Sequence, residues 1–383
     1  MDNHYRIRDN PQDFVQVGVQ LDLVVRYGRE VLRGIHRGIS RRPGWRLVNL
    51  GYHGFPMELP ERVPEIAGFI GAFGVEDIPR IRGMFDGPVV GVSNRSRSLP
   101  CSRVVNDLPA SAEMIFDYFH QRFYRAFCFV GMNPEADNYV CEGMWEAFSA
   151  LALREGLACA RTDPECLPKT LPSLHPGTAF VAYSDVEARR CLNILVDAGI
   201  RVPDDAAVLG VGDFELENMM SRVPLSTLRV NGERIGELAV EMLARELTCS
   251  STLPGTLHVP PLGILERAST QTLYAEDQDL RDLLHMLRDE IPTLRTAGDC
   301  ARLAGVGRRT LERRFQGAFG TGIAGILRFL RVEAAKRLML EEDMKLEEVA
   351  ERAGFADGRM LSVTFRKLTG ENPSAFRKKY SGI

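Results

Sequence analysis

The feature that most constrains this chain is a change of period part-way along it. From about Phe14 to Glu266 short apolar runs alternate with amphipathic stretches, and beyond Asp279 only the helical period remains. Val15–Gln20, Trp45–Leu50, Gly68–Gly71, Val89–Val92, Phe127–Val130, Ala179–Ala182 and Val208–Val211 read as strands. Between them, residues 26–42, 110–119, 142–155, 185–198 and 232–247 carry the i, i+3, i+4 apolar spacing of helices, as at Val31, Leu32, Ile35 and Ile39. Such alternation predicts parallel sheets covered on both faces. A run of some 250 residues exceeds one comfortable core, so the expectation is an α/β body of two lobes followed by an all-α domain. Residues 267–280 are polar and aperiodic and are expected to be a linker; residues 1–13 are polar and expected to be frayed.

Charge divides along the same line. Residues 280–383 hold 20 Lys and Arg against 14 Asp and Glu, whereas the first 279 hold 28 against 37. A basic module behind an acidic body suits a polyanion-binding unit attached to a domain with another task. The eight cysteines are scattered with no CxxC pair, which argues against a disulfide framework or zinc site and for mostly buried, reduced thiols. No run approaches the ~20 apolar residues of a membrane helix, and the polar start Met1-Asp2-Asn3-His4 has no signal-peptide core. A cytoplasmic protein without membrane contact, metal or cofactor is therefore expected.

Two segments of the helical part share one register. Ala301-x-x-x-Gly305 and Ala350-x-x-x-Gly354 lie 49 residues apart, and each precedes an amphipathic helix. Two short helices that cross steeply need a small residue at closest approach (Ala301, Ala350) and a turn residue that tolerates positive φ (Gly305, Gly354). Leu311 with Phe315, and Leu361 with Phe365, then seat each second helix at i, i+4 and leave its other face free for a major groove. One such match is weak; two in register are strong. Residues 323–340 read as a helix buried through Ile326, Leu327, Leu330, Ala334, Leu338 and Met339. At ~18 residues it would span ~27 Å, near the ~34 Å between successive major-groove faces. One chain would then present two helix-turn-helix units to adjacent grooves.

These residues, with Arg331-Val-Glu-Ala-Ala-Lys-Arg-Leu338, Phe365-Arg-Lys367 and Gly370-Glu-Asn-Pro-Ser-Ala-Phe-Arg377, resemble the AraC-type DNA-binding domain over about 281–383. The resemblance implies promoter or operator double-stranded DNA as a partner. By position it places Arg309, Glu312 and Arg313 against bases and Arg308 and Arg314 against phosphate; Arg pairs bidentately with guanine and Glu accepts from cytosine. In the second unit the matching positions are Gly358, Arg359, Ser362 and Val363, with Arg366 and Lys367 on phosphate. Val363 stands where the family often has a long polar residue, which leaves it a thymine methyl to touch.

The body offers three groups at strand ends, where ligands of open parallel sheets bind. They are Asp22, Arg26 and Tyr27; Tyr183, Ser184 and Asp185; and Gly212, Asp213 and Phe214. Carboxylates beside aromatic rings suit a polyol. An Asp at a helix start also caps it, so Asp185 and Asp213 each have two readings here. Ala198-Gly-Ile-Arg-Val-Pro-Asp-Asp-Ala-Ala-Val-Leu-Gly-Val211, Val105-Asn-Asp107 and Pro224-Leu-Ser-Thr-Leu228 resemble the sensor domain of LacI-type repressors and sugar-binding periplasmic proteins, over 14–266. The order of the two modules is similar to that of the xylose-operon regulators. Three positions depart from that pattern: Ser184 for Asn, Gly212 for Asp and Val140 for Arg. The departures imply a different ligand or a re-formed site, with Asp213, Asn138 or Tyr139 substituting.

The expected function is a homodimeric, sequence-specific transcription regulator. Its effector is a pentose or related sugar held between the lobes, and the resemblance also admits a contact with RNA polymerase. The alternative is a sugar-processing enzyme with an appended helical module. Against it, Gly68-Phe-Ile-Gly-Ala-Phe-Gly74 lacks the GxGxxG spacing and the GKS or GKT ending of a P-loop, and Ser184-Asp185 lacks a GxSxG elbow.

Overall fold

The computed structural model describes residues 14–51, 65–132, 139–248, 254–341 and 344–380. Among these, twelve strands form two six-stranded sheets. In chain order they are β1 (Val15–Gln20), β2 (Trp45–Asn49), β3 (Gly68–Gly71), β4 (Val89–Gly91), β5 (Ser102–Asn106), β6 (Ala126–Val130), β7 (Ala158–Thr162), β8 (Ala179–Ala182), β9 (Ala207–Val211), β10 (Ser226–Arg229), β11 (Thr256–Val259) and β12 (Gly263–Leu265). The first lobe has the order β11-β5-β4-β3-β1-β2, with every pair parallel. The second is β12-β10-β9-β8-β6-β7, parallel except for the β10–β12 edge. Strands such as Ala126–Val130 and Ala179–Ala182 are buried at every residue, because helices cover both faces and no side of the pleat meets water.

The chain passes between the lobes three times. It leaves the first lobe after β5 through the helix Leu108–His120, which packs in the second lobe's core, and returns after β10 into the helix Gly232–Thr248. It then runs from β11 in one sheet to β12 in the other. The helices Arg26–Ser40 and Gly232–Thr248 touch backbone to backbone in the first lobe. A Cβ at Gly34 would lie 1.9 Å from the Glu233 carbonyl, and one at Gly236 would lie 2.1 Å from that of Val31, so only glycine permits this approach.

The C-terminal domain contains helices Gln278–Asp289, Ala297–Leu303, Arg308–Phe319, Ile323–Glu341, Leu346–Arg352, Gly358–Thr369 and Pro373–Tyr380. They share one core, in which Ala301, Ala350, Leu311, Phe315, Leu361 and Phe365 are all buried as the spacing requires. Gly305 and Gly354 turn at φ +64° and +81°, and a Cβ on Gly354 would meet the Ile291 carbonyl at 2.5 Å. Thr296 and Asp299 cap the first unit reciprocally, and Asp357 caps the second recognition helix by accepting from the Met360 amide at 2.6 Å.

The polar stretch 267–280 is not a solvated tether. Ser269 and Thr270 are fully buried in a short 3-10 turn against the second sheet. The Ser269 hydroxyl donates to the Val208 carbonyl at 2.6 Å and accepts from the Ser226 amide at 2.8 Å. Leu273 and Ala275 then enter the C-terminal core, while Tyr274 packs on Tyr124. The polar side chains of this strap satisfy groups of the sheet rather than water, which is why its composition reads as a linker. The expectations for residues 1–13 and for Asn138 lie outside the described residues.

Candidate nucleic-acid interface and ligand cleft

The two recognition helices, Arg308–Phe319 and Gly358–Thr369, are joined through the 19-residue helix Ile323–Glu341. Arg308, Arg309 and Arg313 are exposed and make no ion pair among the described residues. Arg309 and Arg313 share a face at i, i+4, opposite the buried Leu311 and Phe315. In the second helix Arg359, Arg366 and Lys367 are likewise exposed and unpaired, flanking Met360 and Val363, whose apolar side chains stand in solvent. Six cations on two outward faces, with no carboxylate partner, can meet two stretches of phosphate backbone.

Three residues expected at this surface are otherwise engaged. The Glu312 carboxylate accepts from the Ile323 amide at 3.2 Å, capping the helix that follows, so it is held away from a cytosine. Arg314 pairs with Asp277 at 2.7 Å and lies 3.9 Å from Asp279; its hydrogen bond holds the Asp277 carboxyl below its usual range. The Ser362 hydroxyl donates to the Gly358 carbonyl of its own helix at 2.9 Å. Glu312 and Arg314 could not be sorted from their neighbours by helical position, because their partners come from flanking segments.

The facing edges of the two sheets form the candidate ligand cleft. Across it, Arg26 of the first lobe reaches Asp213 of the second at 2.8 Å, and the Tyr139 amide donates to the Arg95 carbonyl at 3.2 Å. Asp213 sits at φ +53°, which turns its carboxylate back over the sheet, where Arg267 also holds it at 2.8 Å. Arg26 and Asp213, both candidate ligand contacts in the sequence, are thus paired with each other. Arg97 packs over the Tyr139 ring at 5.3 Å, placing Tyr139 at the same seam.

The remaining residues have structural tasks. Asp185 is 2% exposed, and both its oxygens are taken, one by the Thr227 hydroxyl and one by the Phe214 amide, each at 2.7 Å. It braces the Asp213 loop, and burial pushes its carboxyl up to about 7 against those two hydrogen bonds. Ser184 caps the helix Asp185–Asp197, so the cap lies one residue before the aspartate. The Tyr27 hydroxyl donates to the Val92 carbonyl at 2.7 Å, and Asp22 accepts from the Val24 amide at 2.9 Å in a local turn. Residues missed from the sequence are Gln20, Asn106 and Arg229, each the last residue of its strand. Their position at carboxyl strand ends was the available signal, but β5 and β10 were not recognised as strands.

A third cluster joins the two domains. Arg122, just past the crossover helix Leu108–His120, is buried between Glu266, which follows β12, and Glu333 of the Ile323–Glu341 helix. Tyr118 donates to Glu266 at 2.9 Å and stacks beneath the guanidinium, while Lys336 pairs with Glu333 at 2.7 Å. Burial pushes the Glu266 carboxyl up despite Arg122; Glu333 is also buried, but Lys336 and Arg122 outweigh that and hold it below its usual range. Beside the cluster, Phe123 packs on Phe319 at 4.7 Å, and a cavity of about 500 Å³ separates the domains.

Among the described residues no group of His, Cys, Asp and Glu is arranged to hold a metal, and no helix is long and apolar enough to cross a membrane. The described cysteines are unbridged; Cys101, Cys128, Cys141, Cys191 and Cys300 are buried, and Cys166 is exposed.

Two family models match the chain: a helix-turn-helix domain over residues 300–379 and a periplasmic binding protein-like domain over residues 116–270. The xylose operon regulatory protein of Escherichia coli (strain K12) is 24% identical over 332 residues, covering 82% of this chain and 85% of that protein. The HTH-type transcriptional regulator GlxA of Rhizobium meliloti (strain 1021) is 31% identical over 173 residues, or 44% and 48% of the two chains. Among solved structures, that of the xylose-binding transcription activator xylR superposes with a TM-score of 0.63 at 22% identity, over 96% of this chain and 98% of that one. These relatives are named as regulators and not as enzymes. The chain therefore joins a periplasmic binding protein-like domain to an AraC-type helix-turn-helix domain, in the architecture of the xylose operon regulators to which it is similar.

Proposed function

We propose that this protein is a transcription regulator that binds promoter DNA through both helix-turn-helix units and is controlled by a small carbohydrate, a pentose or related sugar, held between its lobes. The observation that carries this reading is the Arg122 cluster. The helix Leu108–His120 starts at the interlobe crossing beside Asn106 and ends two residues before Arg122, which grips the helix spacing the two recognition elements. Glu266, at the other carboxylate, ends the third crossing. Both ends of the clamp on Glu333 are thus carried by the second lobe, each on a segment that has just crossed from the first. For a ligand to act through it, the open and closed lobes must differ in affinity for that ligand, and the C-terminal domain must differ in affinity for DNA. In a homodimer, closure would re-space the paired DNA-binding domains. Arg309 and Arg313 serve as base-reading residues, and Arg308, Arg359, Arg366 and Lys367 as phosphate contacts, consistent with their exposure and lack of partners.

The test is a titration of the full chain onto DNA from upstream of its own gene, with and without a panel of pentoses and hexoses. At least one sugar should change the affinity for that fragment while leaving random DNA unaffected. Equal affinity for the two DNAs, or no response to any sugar, would reject the reading.

A further inference from the structure

Three buried polar atoms at the facing edges of the sheets have no hydrogen-bond partner among the described residues: Gln20 Oε1, Asn106 Oδ1 and Arg229 Nη1. Each belongs to the last residue of a strand, β1 and β5 in one lobe and β10 in the other. Carboxyl strand ends are where open parallel sheets bind ligands, and the Arg26–Asp213 pair shows how closely the two edges approach here. Buried polar groups in folded proteins are almost always paired, so three orphans along one cleft ask for a common partner.

Arg229 is the most demanding. Its side chain is 9% exposed and makes no hydrogen bond; its only ionic contact among the described residues is Asp213, at 3.4 Å. That carboxylate is already held by Arg26 and Arg267, each at 2.8 Å. The nearby Asp185 is occupied as well, by Thr227 and Phe214. A guanidinium carries five donors in a planar fork that matches a carboxylate or a phosphate. Leaving such a group buried without an acceptor is costly. The amide heads of Gln20 and Asn106 suit hydroxyl groups, with which an amide can both donate and accept.

We propose that the interlobe ligand is a polyhydroxylated anion, a sugar acid or sugar phosphate, whose charged group is taken by the Arg229 fork while Gln20 and Asn106 hold hydroxyls. This rests on the carbohydrate reading of the cleft and narrows it. A neutral sugar would satisfy the two amides but leave the guanidinium with hydroxyl partners only, and charge-assisted pairs are roughly twice as strong as neutral ones.

Isothermal titration of the full chain with xylose against xylonate, glucose against glucuronate, and glucose 6-phosphate tests the proposal. At least one anion should bind tenfold or more tightly than its neutral parent, and the carboxylate and phosphate arms tell the two sources apart. Arg229→Gln should weaken that anion at least tenfold and abolish the preference. Arg229→Lys, which keeps the charge without the fork, should fall between. A neutral parent binding as tightly as its acid, or an Arg229→Gln protein within twofold of wild type for the anion, would overturn the proposal while leaving carbohydrate sensing intact. If no member of the panel binds, the carbohydrate reading itself fails with it. The comparison of acid with neutral sugar on the wild-type chain needs no variant to fold.

Discussion

Replacing Arg122 by Met removes the cation that bridges Glu266 and Glu333 across the domain seam. Arg122 is 4% exposed on its side chain, and the two carboxylates are 15% and 13% exposed, so this pair of contacts is not discounted as a surface salt bridge would be. Lys336 remains to neutralise Glu333, but Glu266 keeps only the Tyr118 hydroxyl, its contact with Glu333 and the more distant charge of Lys336. Breaking a buried ion pair from one side typically costs about 3–5 kcal/mol, and the surviving Lys336 places the expectation near the lower end, at about 3 kcal/mol. Both tryptophans, Trp45 and Trp145, lie in the body, whereas the C-terminal domain is all helix. In urea unfolding, tryptophan fluorescence therefore reports the body alone, whereas helical circular dichroism reports both domains. The wild-type transitions should coincide, and in Arg122→Met part of the helical signal should be lost before the fluorescence changes. The variant should also bind its sugar normally and fail to transmit the event to DNA. Coincident transitions shifted by less than about 1 kcal/mol would mean that the cluster is solvated and that the domains are coupled elsewhere.

Further consequences concern single residues. Arg313→Ala should cost about 1–3 kcal/mol on the preferred site and relax selectivity at one base pair, read from a competition panel of single-base variants; an equal loss on random DNA would make Arg313 a phosphate contact. Lys367→Ala should weaken all sequences alike and flatten the plot of log affinity against log salt by about one unit, and an unchanged slope would remove it from the backbone contacts. The Asp185 carboxyl is raised to about 7 in the folded chain, so its contribution is fully present below about pH 4 and is lost as pH rises through 7. Asp185→Asn should flatten that part of the pH–stability profile between pH 4 and 8, measured by thermal unfolding; a profile parallel to wild type would show that Asp185 titrates normally.

The C-terminal half of this architecture was more legible than the site in the body. Ala301, Gly305, Leu311 and Phe315, repeated at Ala350, Gly354, Leu361 and Phe365, obey local steric rules that no distant contact overrides. The long strands of the body were legible for the same reason, being continuous apolar runs. Short polar strands were not. Ser226–Arg229 is buried along its whole length, yet three of its four residues are polar; Ser269, Thr270 and Asp185 satisfy Ser226 and Thr227 from distant points of the chain. Ser102–Asn106 hides Arg103, whose guanidinium donates to the carbonyls of Ser96 and Arg97. The strap 267–275 reads as linker by the same mechanism. Asp185 was singled out as a ligand contact or a helix cap, but its partners are a threonine 42 residues away and a backbone amide, neither of which any local pattern shows.

Hydroxyl-radical footprinting of the full chain on its upstream DNA tests the arrangement of the recognition helices most directly. Each protomer should protect two backbone stretches on one face of the duplex about one helical turn apart, and deletion of the positive charge at Arg366 and Lys367 should erase one stretch while sparing the other. A single protected stretch per protomer, or two lost together, would contradict a protein that sets two recognition helices into neighbouring grooves.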